Sequence, residues 1–368
     1  MTNDKLVRAL EPAFYTDPDI FKREHNAIFF RTWQYAGHVS QVAEKGEYFT
    51  FGLNGQPLFI IRDGDEVRAF YNVCPHRAHE LVSGAGQLKR IVCPYHAWTY
   101  QTDGSLMAAP NSDKVDGFHK SDICITPVRL EIFCGFIFVN LDADAKSMSE
   151  WYPDVAEELR DFVPHIDDLK PYKTNAVAES CNWKVTVENY SECYHCPLNH
   201  PTFANGVIDP KTYDIRPQGY CLRHTTVSAN LDQMSYEIDA TANARATEYS
   251  SWFLWPTFSF QVYPGNVLNT YFFKPDDHLN TTVYRDWYTV DGNESGVIDG
   301  LAQQDLDTTV AEDIRLVESV QRGLASKGYR AGPLIIDPDF GVASEHSVHS
   351  LNTWVREALG MNGADYEA

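Results

Sequence analysis

Two cysteine–histidine pairs fall within 23 residues of each other: Cys74-Pro75-His76 and, after sixteen residues, Cys93-Pro94-Tyr95-His96. Two thiolates and two imidazoles in mixed pairs suit a [2Fe–2S] centre of the Rieske type, with the cysteines on one iron and the histidines on the other. Imidazoles in place of two thiolates raise the potential to roughly −150 to +300 mV, so the centre accepts an electron from a ferredoxin and passes it on. A Cys2His2 zinc site uses the same ligand types, but there the cysteines stand together and the histidines stand together. Here each half is mixed. Pro75 and Pro94 set tight turns beside the ligands, as two hairpin tips closing on one cluster require.

A second constellation follows about a hundred residues later: Glu192-Cys193-Tyr194-His195-Cys196-Pro197-Leu198-Asn199-His200. On a helical wheel of 183–195, Trp183, Val187, Tyr190 and Tyr194 take one side, and Glu188, Glu192 and His195 gather opposite. A helix anchored by aromatics and carrying carboxylates and an imidazole suits a metal or a charge relay. Pro197 ends or bends it, which lets His200 swing round to the same ion. A third ligand is expected from Asp313. In 310–324 the apolar positions Val310, Ile314, Leu316, Val317, Val320 and Leu324 surround it, while Glu312, Arg315, Glu318 and Arg322 point elsewhere. A carboxylate in an apolar stripe is costly unless paired or metal-bound. Two histidines and one carboxylate leave open positions on Fe(II) for O2. Either histidine alone would read as a structural one. Cys193-x-x-Cys196 has thioredoxin-type spacing, but no βαβ context surrounds it, so the pair reads as packing.

These residues need rigid elements to hold them. Residues 16–31 read as an amphipathic helix. From 33 to 140 the pattern is short alternating strands split by Asn54-Gly55, Asp63-Gly64 and Asp103-Gly104, which are hairpin signals. The acidic stretch 145–170 reads as a helical boundary. Beyond it, helices near 183–195 and 308–326 mix with aromatic strands over 252–263 and 281–290, so the class is α+β with an antiparallel sheet. The expected division is a helical arm, 1–32, packed on the catalytic domain; an antiparallel β domain, 33–145, holding the cluster; and a catalytic domain, 146–368, holding a mononuclear iron.

The 368 residues are 43% hydrophobic and 13% aromatic, a globular composition. A net charge of −21 supplies no basic field for nucleic acid or for anionic membranes. Neither an apolar leader core nor an apolar run of eighteen residues occurs, and Cys124, Cys134, Cys181, Cys193, Cys196 and Cys221 read as reduced thiols. A cytoplasmic protein is expected. There is no G-x-G-x-x-G fingerprint, so electrons must come from a separate reductase.

With Cys74-x-His76…Cys93-x-x-His96, Glu192-x-x-His195-x4-His200 and Glu312-Asp313 in place, the chain resembles the oxygenase (α) subunits of Rieske non-haem iron oxygenases over essentially its whole length. The resemblance implies an N-terminal Rieske domain, a catalytic domain of helix-grip type, and a homotrimer in which one subunit's cluster feeds its neighbour's iron. A carboxylate couples a cluster histidine to an iron histidine. That position here is Glu192, where ring-hydroxylating members usually carry aspartate, with Glu188 as the competing candidate. Glutamate looks like the branch acting on quaternary ammonium compounds of the carnitine, glycine betaine and stachydrine kind. The segments 70–77 and 318–324 look closest to the carnitine type.

The implied reaction is monooxygenation with O2 beside a quaternary nitrogen, followed by N-demethylation or C–N cleavage. The alternatives are an oxygenase that hydroxylates or O-demethylates aromatic substrates, an electron-transfer protein without catalysis, and a zinc-stabilised module. A cationic substrate that donates no hydrogen bond is best held by aromatic faces. Trp252, Trp255, Phe258, Phe260 and Tyr263 crowd one segment, and Trp252, Trp255, Phe260 and Tyr263 are the candidate box. The implied partner is a flavin- and ferredoxin-type reductase that draws its electrons from NAD(P)H. Ferredoxin-type partners are commonly acidic, so a local basic patch at Arg77, Lys89 and Arg90 is the expected docking site.

Overall fold

A computed structural model describes residues 6–228 and 230–361 of the chain. It divides into two compact units, residues 30–145 and residues 1–29 with 146–368. The first five residues of the expected arm and the last seven of the expected catalytic segment lie outside the described residues.

The 30–145 unit is built from antiparallel strands: β1 Gln34–His38, β2 Glu47–Leu53, β3 Gln56–Asp63, β4 Glu66–Tyr71, β5 Ala85–Gln87, β6 Ile91–Val92, β7 Thr99–Tyr100, β8 Leu106–Ala108, β9 Pro127–Phe133 and β10 Phe136–Asn140. Seven of them form a sheet ordered β1-β10-β9-β4-β3-β2-β5, and β6-β7-β8 form a small one. Leu53 pairs with Gln56 across Asn54-Gly55, both at positive φ, the mirror-image turn that matches strand twist. Asp63 pairs with Glu66, so that loop is Gly64-Asp65, one residue later than the dipeptide suggests. Gly104 is held in the left-handed region (φ +89°), and a Cβ there would meet Phe70 at 2.6 Å. Phe59, Phe70, Leu81, Ile91, Tyr100 and Ile125 pack beneath the two cysteines in one buried cluster.

In the other unit a short helical turn, Ala13–Thr16, precedes helix α1, Pro18–Glu24, which is capped by the Asp17 carboxylate accepting from the Asp19 N–H. The helices α2 Val155–Phe162, α3 Trp183–Ser191, α4 Gly296–Asp305, α5 Ala311–Leu324 and α6 His346–Ala358 follow. Its strands are β11 Leu169–Glu179, β12 Asp214–Gln218, β13 Cys221–Val227, β14 Glu248–Leu254, β15 Phe258–Tyr263, β16 Val267–Pro275 and β17 Thr281–Val290. They form one antiparallel sheet in the order β11-β17-β16-β15-β14-β13-β12. The aromatic stretch expected as one strand is two, β14 and β15, turning at 255–257. Among the described residues no helix is long and apolar enough to cross a membrane.

One buried connection fixes the helix that carries the site. Lys184 at the start of α3 meets Glu24 at 2.6 Å, with both side chains at most 1% exposed. The Trp183 indole N–H donates to the other Glu24 oxygen at 2.8 Å.

Candidate active site

The two cysteine loops of the 30–145 unit are near copies. The Ala78 N–H donates to the Cys74 carbonyl and the Ala97 N–H to the Cys93 carbonyl, and each alanine sits at positive φ (58° and 57°). Each turn opens with Cys-Pro and folds back through that alanine, which aims the side chains of both loops at a common point. Cys74 and Cys93 are 1% and 2% exposed, and the His76 and His96 ring centroids are 4.8 Å apart. The Tyr100 hydroxyl lies 3.1 Å from Cys74 Sγ, and the Cys93 sulfur accepts from the Tyr95 and His96 N–H groups. Burial raises the Cys93 thiol above its ordinary value, and these two N–H donors draw it part of the way back. His96 Nδ1 is buried without a hydrogen-bond partner, a lone pair that fits a metal. His76 stacks on Trp98 at 4.4 Å. These four side chains therefore fit a cluster. Arg77, Lys89 and Arg90 are exposed on this unit, with the Arg77 guanidinium over the Tyr95 ring at 5.4 Å.

In the other unit His195, His200 and Asp313 converge. His195 Nε2 and His200 Nε2 are 3.0 Å apart, and Asp313 Oδ1 lies 3.1 Å from His200 Nε2 and 3.6 Å from His195 Nε2. Ligands bonded at 2.0–2.2 Å in adjacent octahedral positions stand about 3 Å apart, so the three atoms fit one face around a single ion. Each histidine keeps Nε2 for that face because a carboxylate takes its Nδ1–H: Glu192 Oε1 for His195 at 2.5 Å, and Glu312 Oε2 for His200 at 2.8 Å. The Asn189 amide donates to Asp313 Oδ1 at 2.8 Å. Burial would lower the His195 imidazole, but Asp313 and Glu192 more than offset it and lift it to about 10 without metal. Burial would raise Asp313, and the two imidazoles hold it well below the carboxylate range.

Four sequence expectations change here. Helix α3 stops at Ser191, not near 195, because Glu192 is extended (φ −121°, ψ 166°) and its carboxylate caps the Tyr194 and His195 N–H groups. A single helical turn, Cys196–Asn199, then carries His195 at its start and His200 at its end. Glu188 faces away from the iron ligands: its carboxylate accepts from the Tyr15 hydroxyl at 2.8 and 3.0 Å and from Asn352 at 2.6 Å, and burial pushes it up to about 7. Glu312 does not point elsewhere, as it holds His200. Cys193 and Cys196 are not separate thiols but are joined in a disulfide.

The cavity beside the triad is lined by alternate residues of one sheet face: Tyr249 and Ser251, Gln261 and Tyr263, Tyr271 and Phe273, and Arg285. Tyr190, Glu179 and Asp305 also line it. Of the expected aromatic box only Tyr263 lines it. Trp252 and Phe260 pair with each other on the opposite sheet face, where the Trp252 indole donates to Glu158 at 2.7 Å. Trp255 is locked between Trp183 and Trp354 in the core, and Phe258 packs on Phe260. Burial pushes the Asp305 carboxyl up to about 6 although Arg285 draws it down. The period-2 alternation of β14 to β17 was the signal that could have found the lining.

Residues 32–119 match the Rieske [2Fe-2S] domain, and residues 166–361, more than half of the chain, match the ring hydroxylating alpha subunit catalytic domain. The chain belongs to the Rieske non-haem iron oxygenases. This oxygenase is 38% identical over 350 residues to the carnitine monooxygenase oxygenase subunit of Acinetobacter pittii (strain PHEA-2), covering 94% of this chain and 93% of that one. The chloroplastic choline monooxygenase of Beta vulgaris is 31% identical over 366 residues, covering 95% of this chain and 77% of that one. The crystal structure of the quaternary ammonium Rieske monooxygenase CntA with L-carnitine superposes with a TM-score of 0.83 at 34% identity, covering 97% of each chain. Naphthalene 1,2-dioxygenase, at 19% identity and a TM-score of 0.76, covering 97% of this chain and 93% of that one, shares the fold. Family membership also decides between cluster and zinc. The oxygenase uses a [2Fe–2S] cluster and a mononuclear iron.

Proposed function

We propose that this oxygenase inserts one atom of O2 into a C–H bond beside the nitrogen of a quaternary ammonium compound of the carnitine or betaine type. The observation that carries the reading is the cavity wall. Tyr190, Tyr249, Tyr263 and Phe273 bring aromatic rings to the cavity, and Glu179 and Asp305 add buried carboxylates. A trimethylammonium group accepts and donates no hydrogen bond, and each aromatic face attracts it by ~0.5–2 kcal/mol. The names of the carnitine and choline monooxygenases support the same substrate class.

The irons supply electrons and open positions for O2 activation when bound. The chain's own part is positioning. Glu192 and Glu312 hold the two imidazoles, Asn189 holds Asp313, and the tyrosines hold the cation. The second oxygen atom leaves as water with two electrons and two protons. The hydroxylated carbon then expels the amine and becomes a carbonyl, as formaldehyde after N-methyl oxidation or a chain aldehyde after C–N cleavage. Cys74, His76, Cys93 and His96 hold the cluster, and His195, His200 and Asp313 hold the iron. Glu192 relays to a neighbouring subunit's cluster in a homotrimer. A separate flavin and ferredoxin-type reductase docks at Arg77, Lys89 and Arg90, in the cytoplasm.

The test is NADH-driven turnover with a surrogate reductase, over carnitine, γ-butyrobetaine, glycine betaine, choline, stachydrine and two aromatic acids, with products read by mass spectrometry. A carbonyl and an amine from an ammonium compound are expected. Products from the aromatic acids alone would overturn the reading.

A further inference from the structure

Among the described residues, the cavity contains one cation that is left incompletely paired. Arg285, on β17, is 4% exposed and lines the cavity. Its Nε and Nη1 are buried without a hydrogen-bond partner. The nearest carboxylate, Asp305 Oδ2, stands 3.6 Å from Nε, beyond hydrogen-bond reach, and is itself unpartnered. Tyr271, the cross-strand neighbour of Arg285, packs its ring 4.9 Å from the guanidinium carbon, and its hydroxyl acts on both Arg285 and Asp305 without filling Nε or Nη1. Glu179 acts on Arg285 through its charge and makes no hydrogen bond to it, while its Oε2 accepts from Thr186 at 2.7 Å.

Buried donors left unmade are costly, and a guanidinium matches a carboxylate with two parallel N–H···O bonds. A guanidinium has two edges able to do this, and an unclaimed nitrogen sits on each of them here. Resting on the quaternary ammonium reading, we infer that Arg285 binds a carboxylate at the far end of the substrate. The enzyme therefore selects zwitterions, which carry both an ammonium and a carboxylate, over purely cationic ammonium alcohols. The aromatic faces take the ammonium and Arg285 takes the anion, so the spacing between the two groups places one C–H bond in front of the iron ligands. Without a carboxylate, the same pocket must bury Arg285 with donors unpaired. Arg285 is a specificity residue in this scheme, with no part in the chemistry of oxygen.

The experiment compares γ-butyrobetaine with its carboxamide, identical in shape but uncharged at that end, on the iron-loaded holoenzyme with reductase. The natural chain should favour the carboxylate by roughly 10- to 100-fold in kcat/KM, the worth of hydrogen bonds to a charged group. Arg285→Met should bring the ratio to about 1 while the carboxamide is still oxidised. Arg285→Lys keeps the charge and should keep part of the preference, which covers the case in which the methionine variant does not fold. Asp305→Asn removes the competing carboxylate and should enlarge the preference, whereas a purely structural Arg285–Asp305 pair predicts lost stability and an unmoved ratio. Equal rates for the two compounds in the natural chain, or a preference that survives Arg285→Met, would overturn the inference alone. If neither compound is oxidised while an aromatic acid is, the functional reading falls and this inference falls with it.

Discussion

Replacing Glu312 tests whether the carboxylate behind His200 holds the iron site together. The Glu312 Oε2 to His200 Nδ1 bond is 2.8 Å long, His200 is 2% exposed and Glu312 is 23% exposed. A hydrogen bond to a charged group contributes ~1.5–3 kcal/mol, and the partial exposure of Glu312 places it in the lower half, about 1.5–2 kcal/mol. Leucine at 312 removes the acceptor and frees the imidazole to turn. That should weaken Fe(II) binding about 10- to 30-fold, at ~1.4 kcal/mol per factor of ten. Carboxylates behind metal-bound histidines generally contribute 10- to 100-fold, which brackets the figure. Glutamine keeps an oxygen but not the charge, so about half the energy survives and the loss should be about 3- to 5-fold. The assay is anaerobic competition for Fe(II) against a fluorescent chelator, with the cluster absorbance as a control for the folded 30–145 unit. An unchanged affinity in Glu312→Leu would refute the reasoning, because it would mean that His200 is oriented by its backbone alone.

Three further outcomes follow from the same geometry. Glu192→Ala at saturating Fe(II) should leave cluster and iron in place by metal analysis yet abolish NADH-coupled turnover; normal turnover would move the coupling to another residue. Glu24→Leu should destabilise the protein by about 3–5 kcal/mol in urea unfolding, since it strands Lys184 as an uncompensated buried charge. Adding Lys184→Met should recover most of that loss, and a double variant as unstable as the single one would show that packing, not charge, is responsible. Lys89→Glu with Arg90→Glu should raise the KM for the reductase and flatten its salt dependence, while no change in either would exclude this surface.

The ligand types were legible in the chain because metal chemistry tolerates few substitutes. Cys74, His76, Cys93 and His96 declare themselves by local spacing, and each pair stands on one tight loop. Asp313 was legible for a subtler reason: it shares a helical stripe with Val310, Val317 and Leu324, all of them buried. Val320, expected on the same face, is 50% exposed instead, and Gln321 is buried in its place, where it accepts the Asn182 N–H. Glu312 escaped because it sits one position off that stripe, and the wheel assigns it to solvent. The helix through Glu192 was overextended because periodicity does not register a side chain that caps the backbone following it. The aromatic box failed for a different cause. Trp252 and Phe260 are as bulky as Tyr263, and only strand parity, which requires the register of β14 against β15, separates the two faces. Arg285 was visible as a lone arginine in 281–290, but its two unclaimed nitrogens emerge only from the tertiary arrangement.

The Glu24–Lys184 pair has a consequence for how the chain is made. The two residues are 160 positions apart, and the whole 30–145 unit is threaded between them. Domains fold as units from the amino terminus at synthesis rates of ~5–20 residues per second, so the arm waits ~8–30 s for its partner helix to be synthesised. All strands of the 30–145 unit are complete in that interval. The electron-carrying unit is thus free to fold first on the ribosome, and the oxygen-activating one closes around an arm that was synthesised before it. A nascent chain stalled shortly after residue 180 should yield a protease-resistant 30–145 core while Glu24 still lies in cleavable chain.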